Sequence, residues 1–320
     1  MLHIRIISPH ERSDAVVETL RDYVGVAHVV RIPGVAVEPA GDLIEADVTR
    51  EAANELLKEL RALELRTEGA ITVELLDMVL SEAADRAEHD APGDPEDAVV
   101  WDELLERTNE DSTLSGTFLA FLCLACLLAA VGVVTDSPVT VVGGMVVGPE
   151  FGPLGGIAVA IVRRRYALAR RSVVALAVGF PLAMVVTGLG ALAAQSLGWM
   201  TMRDVTTADQ LDFIYQVGPF SLVVALLAGA AGMLSLVSSK SAALVGVFIS
   251  VTTVPAAGYA VVAATLGQWR VAAESTAQLV INLIGIVVAG VAVLLIHRAH
   301  SRRRGKSALV RKSARSGDTQ

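Results

Sequence analysis

Residues 143–156 read GGMVVGPEFGPLGG. The stretch lies inside an apolar run long enough to cross a bilayer. Yet it carries one carboxylate, Glu150, between Pro149 and Pro153, with Gly148 and Gly152 interleaved. A charge at the bilayer centre costs about 2.5–3.5 kcal/mol on insertion scales, so such a residue faces a cavity or the bundle interior. Each proline removes a backbone donor and disturbs the carbonyl four residues before it. The glycines permit close helix approach or an unwound turn. Together these features predict a discontinuous helix whose freed carbonyls line a water-accessible site, with Glu150 binding a proton, a cation or a cationic substrate group. Two blander readings stand beside it: a kinked helix with a neutral, hydrogen-bonded Glu150, or a break at the membrane surface.

Working outward, the apolar runs after Ser112 divide as 114–135, 138–162, 172–198, 217–237, 241–267 and 277–297. Each is long enough for a spanning helix, the form that satisfies its own backbone in lipid. The expectation is an α-helical polytopic domain of six spans over 112–298. Arg163, Arg164, Arg165, Arg170 and Arg171 crowd the connection between spans two and three, Lys240 follows span four, and HRAHSRRRGK opens the tail. Asp136, Asp204, Asp209 and Asp212 fall on the other side, as do Trp199 and Trp269. Basic residues stay cytoplasmic, so both termini are expected on the cytoplasmic side of a bacterial inner (cell) membrane. MLHIRIIS lacks a basic flank followed by a long apolar core, so no cleaved signal is expected.

Six spans divide into three plus three. Sliding 124–155 against 227–258 aligns Leu124/Leu227, Ala125/Ala228, Val134/Val237, Val142/Val245, Gly143/Gly246 and Gly155/Gly258. Spans two and five are both glycine-rich and proline-interrupted, with Pro255 in the second. Paired broken segments are a pointer to a transporter's central site within an inverted repeat. Thr252 and Thr253 precede Pro255, while Asn282, Gln278 and Thr187 offer further polar groups. The candidate binding set is therefore Glu150, Gly148, Pro149, Gly152, Pro153, Thr252, Thr253, Pro255 and Asn282. Asp136 or Ser137 is expected to cap span two before Pro138.

The chain has 320 residues, 53% of them hydrophobic, with a formal charge of −8. Nearly all the acid precedes Ser112, which argues against nucleic acid as a partner. Residues 1–80 alternate strand and helix signals: strands at 3–8, 26–34, 42–48 and 70–76, a helix capped by Ser13, and a second opened by Thr49. That β-α-β-β-α-β order is an α+β, ferredoxin-like plan, suited to docking or homo-oligomer formation and less so to small-molecule sensing. An acidic linker and amphipathic helix occupy 81–111, and a basic tail without fixed structure is expected over 299–320. Cys123 and Cys126 form a CxxC within an apolar run, read as helix packing. No cofactor, metal cluster or catalytic dyad is expected.

AAVGVVTDSPVTVVGGMVVGPEFGPLGG resembles the first signature of the bacterial hydrophobic family called domain of unknown function 389, and LVGVFISVTTVPAAGYAV looks like its second. The resemblance covers about 98–297. It implies a multi-span inner-membrane protein with a soluble N-terminal domain, and supplies no substrate. Glu150 stands where the family pattern has an apolar residue, and the second signature has one proline where a pair is usual. The leading expectation is a secondary transporter or channel-like carrier of a small solute or ion, not an enzyme. The alternative is a membrane-anchored sensor or scaffold whose front domain binds a ligand or partner.

Overall fold

The computed structural model describes residues 1–91, 99–199, 219–238 and 253–317. Two compact units emerge, Met1–Glu103 with His297–Gln320, and Leu104–Ile296. In the first, strands β1 (Leu2–Ser8), β2 (Val26–Val37), β3 (Ala40–Val48) and β4 (Ala70–Leu75) form an antiparallel sheet ordered β2-β3-β1-β4. Helices α1 (His10–Arg21) and α2 (Arg50–Ala62) complete the expected element order, with a short α3 (Leu65–Glu68) before β4 and α4 (Glu82–Asp90) after it. Alternation along β1 turns Leu2, Ile4 and Ile6 inward, onto Leu20 of α1 and Leu56 and Leu60 of α2. One local expectation is corrected. Helix α1 starts three residues before Ser13, after Pro9, and the Ser13 hydroxyl donates back to the Pro9 carbonyl at 3.2 Å. Proline's fixed φ suits a helix start better than an internal serine.

The second unit takes in the end of α5 (Trp101–Asp111) and continues with α6 (Gly116–Val134), α7 (Pro138–Val147), α8 (Phe151–Arg163), α9 (Tyr166–Ser196), α10 (Pro219–Val237), α11 (Val254–Thr265) and α12 (Trp269–Gly317). Ser115 caps α6 and Ser137 caps α7, its hydroxyl accepting from the Thr140 N–H with Pro138 at the first helical position. Of the two residues expected to cap α7, Ser137 does so, and Asp136 takes a left-handed φ of 45° just before it. Helices α8 and α9 are joined by Arg164 and Arg165 alone. Arg164 adopts the left-handed conformation, and the Arg165 N–H bonds the Ala160 carbonyl at 2.9 Å, which closes the end of α8.

Among the described residues, four helices are long and apolar enough to cross a membrane: Gly116–Val134, Tyr166–Ser196, Phe220–Val237 and Trp269–Ala299. The pair α7 and α8, bent by 52° at its break, makes a fifth if counted as one span. The sixth run, 241–267, is only partly described, since 239–252, Thr252 included, lies outside the described residues, as does 92–98 of the linker. Its described helix, α11, has 12 residues and a length of about 18 Å, too short to cross alone. Helix α12 runs on to Gly317, so helix replaces the unstructured tail expected from 299.

Helix α11 is buried continuously from Val254 to Ala263. A helix apolar on every face belongs inside a bundle, and α11 packs on α6 and α9. Close approach depends on Gly258, where a Cβ would fall 2.9 Å from the Ala129 Cβ and 3.0 Å from the Ala130 nitrogen. Helix starts recur along the unit. Gly116 and Pro219, Phe151 and Val254, and Tyr166 and Trp269 are each separated by 103 positions, the spacing that also separates Glu150 from Thr253.

In the front domain the fully buried Asp42 accepts from Arg31 Nη2 at 2.7 Å, Arg31 Nε at 3.0 Å and the Gly34 N–H at 2.9 Å. Burial pushes its carboxyl up, but these donors, with Ser13 and His10, outweigh it and hold the group well below the usual carboxylate range. A depressed folded-state value means the stability Asp42 contributes is complete above the unfolded carboxylate value of about 3.9 and is lost as pH falls below it. Asp42→Asn is therefore expected to weaken front-domain protection from hydrogen exchange at pH 7, and to flatten its decline below about pH 4.

Candidate functional site

The site begins with Pro149. Proline disfavours the helical region for the residue before it, and Gly148 is extended at ψ 125°. With no N–H at Pro149, the Met145 carbonyl loses its donor, and α7 ends. Glu150 returns to helical angles (φ −68°, ψ −16°), and its carbonyl accepts from the Leu154 N–H at 3.2 Å, opening α8. Pro153 lies in the first turn of α8, where a missing N–H costs nothing. The two prolines thus do different things: Pro149 breaks the span, and Pro153 sits inside a helix start.

Glu150 is fully buried. Its Oε1 accepts a hydrogen bond of 2.7 Å from the hydroxyl of Thr253, itself fully buried at the start of α11. Two helix beginnings therefore meet through one carboxylate–hydroxyl pair. Helix N-termini carry partial positive charge and favour an anion nearby, which offsets part of the cost of burying the carboxylate. Pro255 is buried in the first turn of α11.

Beside the break lies a cavity of about 380 Å³, lined by Gly148, Pro149, Phe151 and Gly152, by Ser115, Thr117 and Phe121 at the start of α6, by Gly232, Ser235 and Leu236 at the end of α10, and by Arg107, Glu110 and Asp111 of α5. Glu150 itself is not on its wall, while its chain neighbours on both sides are. The Ser235 hydroxyl has no partner among the described residues. Gly152 allows α5 to approach: a Cβ there would fall 2.5 Å from the Asp111 Cβ. Ser172 and Ser112 hydroxyls meet at 2.9 Å, and Ser112 donates onward to the Gly152 carbonyl at 3.5 Å, tying α8 to the chain that enters α6. Burial raises the Asp111 carboxyl above its ordinary range, aided by Glu110 and opposed by Arg107.

Of the sequence-derived candidates, Glu150, Gly148, Pro149, Gly152, Pro153, Thr253 and Pro255 gather around the break. Asn282 is placed in a buried polar group on α12, accepting from Gln278 Nε2 at 2.9 Å and from the Ser221 hydroxyl at 3.4 Å. Thr187 is buried with its hydroxyl unpaired among the described residues. Arg107, Glu110, Asp111 and Ser235 were not singled out. Only the acidic run before Ser112 hinted at them, and it reads equally well as a solvated face. Cys126 is buried in the main apolar cluster and Cys123 packs against it, both as free thiols. In the front domain, Asp47 bonds His3 at 2.8 Å and His28 at 2.7 Å, and His28 bonds Ser81. Ser81 caps α4, which gives that chain a structural role.

Residues 145–288 match the family model described as Domain of unknown function (DUF389). The resemblance expected from the two signatures is met over this range, which holds Glu150, Thr253, α8 and α11 but not α5, α6 or most of α7. An uncharacterized protein of Methanocaldococcus jannaschii is 26% identical over 203 residues, covering 63% of this chain and 60% of the relative. The chain thus spans about three fifths of the curated relative it matches. No solved structure matches.

Thr253→Ala removes the donor to a buried carboxylate oxygen and is expected to cost about 1–3 kcal/mol of stability. Thr253→Ser, which keeps the hydroxyl, is expected to cost less. Thermal unfolding in detergent compares them, and equal losses would mean that the methyl group, not the hydrogen bond, matters.

Proposed function

We propose that this protein is a membrane carrier for a small solute or ion, not an enzyme, with its site at the break between α7 and α8. The observation that carries the reading is Glu150: an ionisable group fully buried at a helix break and hydrogen-bonded to the first turn of a second short, buried helix. Ionisable residues within membrane helices are costly, and where they persist they mark ion and substrate paths. Discontinuous helices whose ends meet near the bilayer centre are the usual framework of secondary transporters.

In this reading α7 with α8 forms span two, α11 is the second half of span five, and the helices make six spans in two inverted halves. The recurrence of three helix starts at one fixed offset supports that division. Both termini are cytoplasmic, because Arg163, Arg164 and Arg165 end α8 on the side where α6 begins. The front domain serves docking, and its sheet edge at β2 suits a homo-oligomer.

Purified protein in liposomes is expected to dissipate an imposed pH or sodium gradient, and Glu150→Gln to slow that flux at least about tenfold, as loss of a central group does. A variant carrying flux equal to the parent would remove Glu150 from the path.

A further inference from the structure

The repeat can be followed at the level of single contacts. Gly155 of α8 approaches Met233 and Leu236 of α10, at 4.0 and 3.1 Å from its Cβ position. Adding the offset to Gly155 and subtracting it from Met233 gives Gly258 and Ala130, and these also touch, at 3.0 Å. Within the halves the same holds: Gly179 lies against Phe118, and their counterparts Asn282 and Ser221 are hydrogen-bonded. An exchange of halves that turns one contact into another is the action of a two-fold axis. Glu150 and Thr253 are each other's counterparts, so the exchange maps their bond onto itself.

The two sides of that bond are not equal. Gly152, Ser235 and Leu236 line the cavity. Their counterparts Pro255, Gly132 and Val133 are buried, in the region where α11 packs on α6 with backbone contact at Gly258. The matching interface, α8 on α10, touches through side chains only at Gly155. Among the described residues, one half's interface is shut and the other's holds an opening.

We propose that the Glu150–Thr253 bond lies on the pseudo-two-fold axis of an inverted repeat, and that the cavity is one of two alternating entrances to this acid for a proton or small monovalent cation. The claim rests on the carrier reading and deepens it. The ligand class follows from the acid at the centre, from Glu110 and Asp111 against Arg107, the one cation among the described residues of the wall, and from the Thr117 and Ser235 hydroxyls beside them. In the second state α8 seats on α10 as α11 now seats on α6, and the counterpart cavity opens at Val133. Only the acid occupies the axis in both states, so its ligand can be received from one side and released to the other.

The test uses the full chain in membrane vesicles of both orientations, with Cys123→Ala and Cys126→Ala as background and either Leu236→Cys or Val133→Cys added. A membrane-impermeant maleimide is applied across pH 5–8, with and without sodium ions, and labelling is normalised to the denatured sample. Leu236→Cys is expected to label from the side where α6 begins and Val133→Cys from the opposite side. A pH or sodium change is expected to raise one several-fold while lowering the other. The pH arm responding without sodium assigns a proton, and the sodium arm at fixed pH assigns the metal cation. Glu150→Gln is expected to hold the pattern in one state. Val133→Cys protected throughout, with Leu236→Cys unchanged, overturns the two entrances even if liposome flux is present. Reciprocal labelling without flux spares the two entrances and overturns the carrier reading. Reciprocal labelling that Glu150→Gln leaves untouched overturns the acid's role.

Discussion

A missing backbone proton at Pro149 governs the membrane unit. In water an unbonded carbonyl finds a solvent partner, whereas in hydrocarbon each unsatisfied group costs several kcal/mol. The chain around Pro149 must therefore be enclosed by protein or line an aqueous space, and here it is packed on one side and borders the cavity on the other. Helices α6, α9 and α11 form an apolar surround, and the cavity touches Gly148 and Pro149. The break also turns α8 by 52° from α7, which brings the acid at its start to face the start of α11.

Once the break is fixed, the polar groups of the interior sort by distance from it. Glu150 takes its hydroxyl partner from a helix more than a hundred residues later in sequence. Ser112 and Ser172 hold the incoming chain against Gly152, and the Gln278, Ser221 and Asn282 group stands apart. Each buried polar side chain in these groups reaches another across a helix pair, as the low dielectric demands. Small residues make the pairings possible, since Gly144 and Gly258 let the backbones of α7 and α11 come against α6.

Much of this was legible along the chain because it is local. A proline dictates the conformation of its neighbour, a serine before Pro138 dictates a cap, and alternating apolar residues dictate the sheet of the front domain. What could not be read depends on distant partners. Asn282 looked equivalent to Thr253 as a polar group in an apolar span, and only packing sent the two to different groups. Asp111 belonged to an acidic run that reads as a solvated face, yet the absent side chain of Gly152 lets its backbone close on α8. The start of α1 was misplaced for a different reason: Ser13 and Pro9 both signal a helix start, and the earlier signal prevailed. The register of the repeat was already in the alignment of 124–155 with 227–258, and the helix starts recur at the same offset of 103.

The two-residue connector Arg164–Arg165 has a mechanical consequence. With one residue left-handed and the other's N–H bound to the preceding helix, it has no slack, so α8 and α9 form a stiff hairpin. Bending motion available to α8 must then be concentrated at its other end, in the three residues Gly148, Pro149 and Glu150. Glu150 thereby sits inside the hinge itself, so in the proposed carrier a change in its protonation would act on the lever at the fulcrum, with no linkage needed between them.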